Sequence, residues 1–205
     1  MYSYVLKFNL RQRGDDALDY LHRAVRTWPR LWGEIPGVNG TLLLLNALAL
    51  GGQFEYHWRV DIDSLDTLSR IDRTIASGEG GWEEARREWF AHRTVAQAQV
   101  SGYPGASGRY CEERPGTDGA IHLVVSATDH RGPAERHLSR LRAADGVLSL
   151  QVLTPALGST AVPEVWLRLE GLDSLDEVVP TTQEIGVTTV FGEVREVAGN
   201  LFLGA

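Results

Sequence analysis

The sequence has little of what several classes of protein depend on. Its 205 residues include one cysteine, Cys111, which excludes an internal disulfide framework and a zinc site built from several cysteines. Its longest apolar run, residues 41–51, is interrupted by Asn46 and is far shorter than the roughly 20 residues of a transmembrane helix. No basic segment precedes an apolar stretch at the N-terminus, so we expect an unprocessed, cytoplasmic protein.

Positive charge is also scarce. The chain has 20 basic residues against 27 acidic ones, and Lys7 is the only lysine. The net charge of −7 disfavours nucleic acid as a partner, because a phosphate backbone binds to a basic surface, and it equally disfavours an anionic membrane. We therefore expect neither nucleic acid nor a membrane as a partner.

What the chain does contain is an ordinary globular composition and an internal repeat. Hydrophobic residues make up 43% and charged residues 23%, which suits one domain or two small ones. The segment Trp58–Asp66 is similar to Trp166–Asp176, and each is typical of a strand that leads into a helix. Such self-similarity indicates a duplicated structural unit.

A second pair of landmarks supports the duplication. Gly37 lies 26 positions before Asp63, and Gly146 lies 27 positions before Asp173. Each glycine stands between a helical pattern and an apolar run, where a turn is expected. Two landmarks at nearly equal spacing predict two tandem repeats.

Hydrophobic periodicity predicts the same order of elements in both halves. The first half is predicted as strand 2–10, helix 15–27 ended by Pro29, strand 41–50, a turn at Gly51–Gly52, strand 54–61, helix 65–75, helix 82–91 and strand 94–100. The second half is predicted as strand 120–127, helix 133–144, strand 147–154, strand 164–170, helix 174–184 and strand 187–197. The second half has no counterpart of helix 82–91.

The chain is similar at this level to a known superfamily. The order βαββαβ, the step Pro36–Val38 before the second strand and the helix that begins Trp82–Arg87 resemble the dimeric α+β barrel proteins. These include NIPSNAP-like proteins, antibiotic-biosynthesis monooxygenases, EthD-like proteins and small polyketide cyclases. The resemblance implies an α+β fold in which two ferredoxin-like repeats, 1–102 and 119–205, are joined by a linker, 103–118. Their antiparallel sheets would pack as an intramolecular α+β barrel, in a monomer or homodimer.

The strand 54–61 holds the first candidate chemistry. Alternation places Glu55, His57, Arg59 and Asp61 on one face and Phe54, Tyr56, Trp58 and Val60 on the other. One interpretation is an edge strand with a solvated face. In the other, His57 and Arg59 face a cavity between sheet and helices, where the imidazole would transfer protons and the guanidinium would hold an anion.

Other candidates are an amide and a set of aromatic rings. Asn46 stands inside an apolar run, where it either bonds the backbone at a bulge or orients a ligand. The aromatic residues are either core or the wall of a pocket for a flat substrate, and those predicted to contact substrate are Tyr4, Tyr56, Trp58, Trp82 and Trp89. We expect this pocket in the first repeat, between its sheet and helices and touched by His57, Arg59 or Asn46.

The resemblance adds one further candidate. Heme-degrading members hold iron through a histidine on the helix before the last strand, and His92 lies near that place. His57 is a weaker candidate for the same role. The sequence contains no pair of histidines spaced as metal ligands, no glycine-rich phosphate loop and no Gly-x-Ser-x-Gly motif.

Three functions follow as hypotheses. The first is a cofactor-independent oxygenase, cyclase or isomerase that acts on an aromatic or polyketide-like substrate in bacterial secondary metabolism. The resemblance implies this class, and with it a small apolar or aromatic substrate as the partner. The second is a heme protein with His92 as axial ligand. The third is a non-catalytic binding or assembly protein, because fold alone does not choose among these functions. For the first hypothesis we expect no cofactor and no metal.

Overall fold

The computed structural model describes residues 1–47, 53–103, 120–158, 162–197 and 200–203. The predicted turn Gly51–Gly52, Cys111 and the predicted linker beyond Tyr103 lie outside the described residues. The α-helices are α1 (Asp15–Gly33), α2 (Asp66–Ser77), α3 (Trp82–His92), α4 (Glu135–Ala143) and α5 (Leu175–Ile185). None of the described helices is both long enough and apolar enough to cross a membrane.

The strands follow the predicted order. They are β1 (Tyr2–Leu10), β2 (Val38–Asn46), β3 (Tyr56–Ile62), β4 (Arg93–Gly102), β5 (Ile121–Ala127), β6 (Val147–Gly158), β7 (Glu164–Leu169), β8 (Gly186–Val197) and β9 (Asn200–Leu203). The short strand β9 was not predicted.

Helix α1 is longer than its sequence predicts. Pro29 does not end the helix but lies inside it, and the helix continues to Gly33. An internal proline costs about 3 kcal/mol. Trp28, Leu31 and Trp32 are all buried on this last stretch, and burying each large apolar side chain stabilises by about 1.5–3 kcal/mol, so packing outweighs the lost hydrogen bond.

The chain forms two compact units whose bounds differ from the predicted halves. The first comprises residues 1–44, 54–98 and 194–203, and the second comprises mainly 45–53 and 99–193. In the first unit the hydrogen-bonded strand order is β2-β3-β1-β4. In the second it is β6-β7-β5-β8, the same order for the corresponding strands. Strands β1 and β3 of the first unit pair antiparallel, and so do β5 with β7, β5 with β8 and β6 with β7 in the second, as a ferredoxin-like βαββαβ unit requires.

Strand β3 is an interior strand of the first sheet, because it lies between β2 and β1. Its pairing with β1 sets Tyr4 opposite Val60 and Leu6 opposite Trp58. The interpretation of this strand as a solvated edge is therefore wrong.

The register of the repeat differs by one residue from the sequence match. The backbone N–H of Asp63 donates to the carbonyl of Gly37 at 2.9 Å, and that of Glu170 donates to the carbonyl of Gly146 at 2.9 Å. These two hydrogen bonds make Asp63 and Glu170 equivalent positions of the repeat. The residues four positions before them are Arg59 and Trp166, so Arg59 is the counterpart of Trp166. The sequence match had paired Trp58 with Trp166. A shift of one residue reverses the face of a strand, so the two tryptophans lie on opposite faces of their sheets.

The glycine at the start of β6 provides a stability test. Gly146 has φ +76°, and an added Cβ would lie 2.8 Å from the Cβ of Ser174. Gly80 has φ +66° and ψ 10°, and an added Cβ there would meet only an ordinary contact of 3.7 Å with the Glu34 carboxylate. We expect Gly80→Ala to lower the free energy of unfolding by about 1 kcal/mol through backbone strain alone, and Gly146→Ala by about 2 kcal/mol through strain and overpacking. Urea unfolding measures both free energies. Combining Gly146→Ala with Ser174→Gly should restore the part of the stability that is lost to overpacking. Equal effects of the two alanine substitutions would contradict the close contact between residue 146 and Ser174.

Candidate functional site: an aromatic cavity in the first unit

A cavity of about 180 Å³ lies in the first unit between β1 and the helices α1, α2 and α3. Its aromatic lining consists of Tyr4, Trp28, Trp32, Trp82, Trp89 and Phe90. Leu6, Ile75 and Arg86 complete the wall. Phe90 is 57% exposed, so it marks the side on which the cavity meets solvent.

Local periodicity brings these side chains together. On α3, Trp82, Arg86 and Trp89 follow one another at steps of four and three residues, which places them on one face of a helix. On α1, Trp28 and Trp32 are one turn apart. These two helices therefore present an aromatic surface to the face of β1 that carries Tyr4 and Leu6.

Trp28 is the centre of the aromatic cluster. Its ring centroid lies 5.1 Å from that of Trp58, 5.7 Å from Trp89, 5.9 Å from Trp82 and 6.1 Å from Trp32. The Trp32 and Trp82 rings meet edge to face at 5.1 Å. Such tilted and edge-on arrangements are the favoured geometries of aromatic pairs, so the wall is a packed rigid layer.

The polar groups in the wall are hydrogen-bond donors. Burial raises the pKa of the Tyr4 hydroxyl, so this group stays protonated. The indole N–H of Trp32 has no acceptor among the described residues, but the atom is fully buried and is closed off from a ligand in the cavity. The guanidinium of Arg86 is therefore the second donor that a ligand can reach.

Three of the predicted substrate-binding residues, Tyr4, Trp82 and Trp89, line this cavity. The other two pack into the aromatic cluster beside it. Trp58 contacts Trp28, and Tyr56 stacks on Phe8 with ring centroids 5.3 Å apart. Burial raises the pKa of Tyr56 to about 12. A direct contact of Tyr56 or Trp58 with substrate stays a prediction.

His57 and Arg59 do not face this cavity, contrary to expectation. Because Trp58 points toward α1, alternation places its two neighbours on the opposite face of the sheet. Both are buried there, with 6% and 7% of their surface exposed. Burial, with a smaller effect of Lys7, holds the pKa of His57 well below its ordinary value of 6.5. The imidazole is therefore neutral at physiological pH.

The guanidinium of Arg59 already has a carboxylate on its own strand. Its Nε and Nη2 donate to the two carboxylate oxygens of Asp61 at 2.9 and 3.1 Å. Asn46 is half-buried at the end of β2 rather than in mid-strand, and it does not line the cavity. The catalytic roles of His57, Arg59 and Asn46 stay predictions that this cavity does not support.

His92 ends α3 outside the cavity lining. Its Nδ1 lies 2.7 Å from Oε1 of Gln12, and its ring stacks on Tyr20 with centroids 4.5 Å apart. A cavity of about 150 Å³ accepts one benzene ring. The cavity of about 180 Å³, which meets solvent beside Phe90, encloses about one ring with small substituents. His92 does not line it, so a heme held in this cavity would not have His92 as its ligand.

Three lining residues, Trp28, Trp32 and Arg86, are absent from the residues that the sequence predicted to contact substrate. A signal for Arg86 was present, because it stands four residues after Trp82 and three before Trp89. A charged residue inside the apolar stripe of a helix is unusual in a plain core helix. That position could have marked it as a wall residue.

The second unit carries buried polar groups on its sheet. Nε2 of His122 lies 2.7 Å from Oε1 of Glu193. The carboxyl group of Glu164 is 1% exposed and accepts hydrogen bonds from Gln99 at 3.1 Å and from the Trp166 indole at 3.0 Å. Across the described ranges, no three acidic, histidine or cysteine side chains are grouped as metal ligands would be.

Comparisons with known proteins show which fold this is. The chain matches no protein-family model and no curated protein sequence. It is similar to the crystal structure of an anthrone oxidase-like protein, with 8% identity, a TM-score of 0.56 and coverage of 100% of this chain and 95% of that one. It is similar to a protein assigned as a monooxygenase from Fusobacterium nucleatum, with 9% identity, a TM-score of 0.59 and coverage of 96% and 98%.

A third similar structure is chlorite dismutase from Candidatus Nitrospira defluvii, with 12% identity, a TM-score of 0.55 and coverage of 94% and 90%. All three have the dimeric α+β barrel fold. Identities this low show the fold alone. The predicted fold class, α+β with tandem ferredoxin-like repeats of antiparallel sheet, is confirmed.

Proposed function

We propose that this chain is an enzyme that oxidises a small aromatic or polyketide-like substrate with dioxygen and without a resident cofactor. The observation that carries the proposal is the cavity between sheet and helices, whose wall contains six aromatic rings. Apolar clefts with a few polar groups are the usual form of small-molecule sites. The shared fold with proteins named as an oxidase, a monooxygenase and a dismutase supports an oxidative enzyme.

The wall suits such chemistry because its donors stabilise negative charge on oxygen. A phenol or enol bound to them reacts as its electron-rich anion. In the simplest case a phenol becomes a quinone. One oxygen atom of dioxygen becomes the second carbonyl oxygen of the ring. The other oxygen atom leaves as water, together with the phenolic hydrogen and the hydrogen of the ring carbon that is oxidised. The substrate supplies all four electrons, so the step needs no external reductant.

The proposal is tested by oxygen uptake. Purified protein is mixed with a panel of phenols and hydroxynaphthalenes, and oxygen consumption and quinone absorbance are recorded. Enzyme-dependent uptake with at least one member supports an oxygenase. A cyclase or isomerase would use the same anion without consuming oxygen, and a binding protein would retain the phenol unchanged; either result would overturn the proposal.

Filling the cavity should lower the activity without unfolding the protein. Ile75 lines the cavity from α2 and is only half-buried, so Ile75→Trp adds an indole to the free space. We expect kcat/KM to fall at least about tenfold, because even a misplacement of 1 Å costs as much as a hundredfold. Leu18→Trp, at an exposed site on α1, is the matched control and should change nothing. Unaltered kinetics of Ile75→Trp, measured by oxygen uptake, would place the active site elsewhere.

A further inference from the structure

Arg86 is the charged residue in the cavity wall, and its guanidinium is largely unused by the protein. Its Nη1 donates to the carbonyl oxygen of Ile75 at 3.4 Å, a long hydrogen bond. Within the described part of the chain no carboxylate pairs with it. A guanidinium has five N–H donors, so most of them remain available to a ligand.

Other arginines of the same unit are paired. Nε of Arg23 lies 3.0 Å from Glu88, Nη1 of Arg30 lies 2.9 Å from Glu34, and Nη2 of Arg70 lies 2.7 Å from Asp66. Those three pairs are on exposed helix surface, whereas Arg86 is half-buried against an apolar wall. A cation in such surroundings is costly unless an anion joins it.

The other polar groups of the cavity wall also suit an anion. The Tyr4 hydroxyl is a donor, and the described lining contains no carboxylate and no imidazole. Oxygen acceptors on a ligand match the Tyr4 hydroxyl and the Arg86 guanidinium, and a cationic ligand does not. The volume of about 180 Å³ is slightly above the about 150 Å³ that holds benzene.

We propose that the cavity binds a single-ring aromatic anion, with the ring against the tryptophans and its carboxylate or phenolate oxygens on Arg86. This inference rests on the proposed function and narrows its substrate class from aromatic compounds in general. Since the described lining contains no base, the substrate loses its proton to solvent before or as it binds. The fork of a guanidinium matches two carboxylate oxygens, so a carboxylate is held most firmly.

The test is a calorimetric titration of the purified protein with benzoate, its neutral isostere benzamide, phenol and the three-ring 9-anthracenecarboxylate. We expect benzoate to bind about tenfold or more tightly than benzamide, as for a hydrogen-bonded ion pair in a partly buried site. Titration with phenol at pH values above and below the pKa of phenol shows whether the cavity also binds a phenolate or requires a carboxylate. The three-ring acid is expected not to bind.

Variants assign the preference to one side chain. Arg86→Gln should remove the difference between benzoate and benzamide, and Arg86→Lys should retain part of it because the charge remains. Arg87→Gln is the matched control, because Arg87 is the next residue on α3, carries the same charge and is exposed. A melting curve for each variant shows whether it is folded. If Arg86→Gln does not fold, the comparison of Arg86→Lys with the original protein still decides the test.

The outcomes separate this inference from the proposed function. Equal binding of benzoate and benzamide would overturn the anionic substrate and leave the aromatic site standing. Equal losses of benzoate affinity in Arg86→Gln and Arg87→Gln would show a general effect of charge and would also overturn the anionic substrate. Tight binding of the three-ring acid would overturn the single-ring limit, and binding of none of the probes would overturn both proposals.

Discussion

Trp28→Ala is expected to lower the free energy of unfolding by about 3–5 kcal/mol, the range for large aromatic side chains removed from a core. Trp28 is buried and contacts four other tryptophan rings. Its removal joins new empty space to the existing cavity, and rings on three elements cannot all move inward to fill it. Since domains are stable by about 5–15 kcal/mol, this single change removes a large part of the total.

Urea denaturation followed by far-ultraviolet circular dichroism measures the loss. Phe90→Ala is the matched control, because Phe90 also lines the cavity but is mostly exposed, and its effect should stay within about 0.5 kcal/mol. Trp28→Phe should cost less than Trp28→Ala because it keeps one ring in place. A loss below about 1 kcal/mol for Trp28→Ala would mean that the aromatic cluster does not hold the unit together.

His57 is expected to make the protein less stable in mild acid. Burial lowers the pKa of the folded imidazole well below 6.5, whereas the unfolded chain takes up a proton near that value. Above pH 6.5 both states are neutral at this position and stability does not change with pH. As the pH falls below 6.5 the unfolded state binds the proton first, so stability decreases by about 1.4 kcal/mol for each pH unit until the folded pKa is reached.

The variant His57→Gln removes this dependence. The difference in free energy of unfolding between pH 7 and pH 5 should be smaller in the variant than in the original protein, because the variant has no imidazole to take up a proton on unfolding. His130→Gln, at an exposed histidine after β5, serves as the control and should keep the original slope. Urea unfolding at several pH values decides the matter, and parallel curves for His57→Gln and the original protein would rule out the neutral buried imidazole.

Much of the fold could be predicted because its signals are local. Strand β1 has its predicted bounds, and alternation correctly separated Trp58 from His57 and Arg59 on the two faces of β3. The spacing of Gly37 and Gly146 from the following strands indicated the repeat. The hydrogen bonds from Asp63 and Glu170 to these glycines show its structural basis.

The errors arose where distant parts of the chain compete. Pro29 is a local signal for a helix end, but the burial of Trp28 and Trp32 against other elements keeps α1 intact. The sequence match paired Trp58 with Trp166 because both are tryptophan. The hydrogen bonds of Asp63 and Glu170 show that the structural counterpart of Trp166 is Arg59, one residue further along the strand. In a strand one residue is the difference between the two faces.

The sequence by itself therefore determined the order of elements, the duplication and which side chains share a face, because helix and strand periods depend only on neighbouring residues. The tertiary structure decided which face meets the helices and encloses the cavity. For that reason Tyr4, Trp82 and Trp89 line the site together with Arg86, whereas His57 and Arg59 lie behind the sheet. Enclosure depends on packing between residues far apart in the chain, and no local pattern records it.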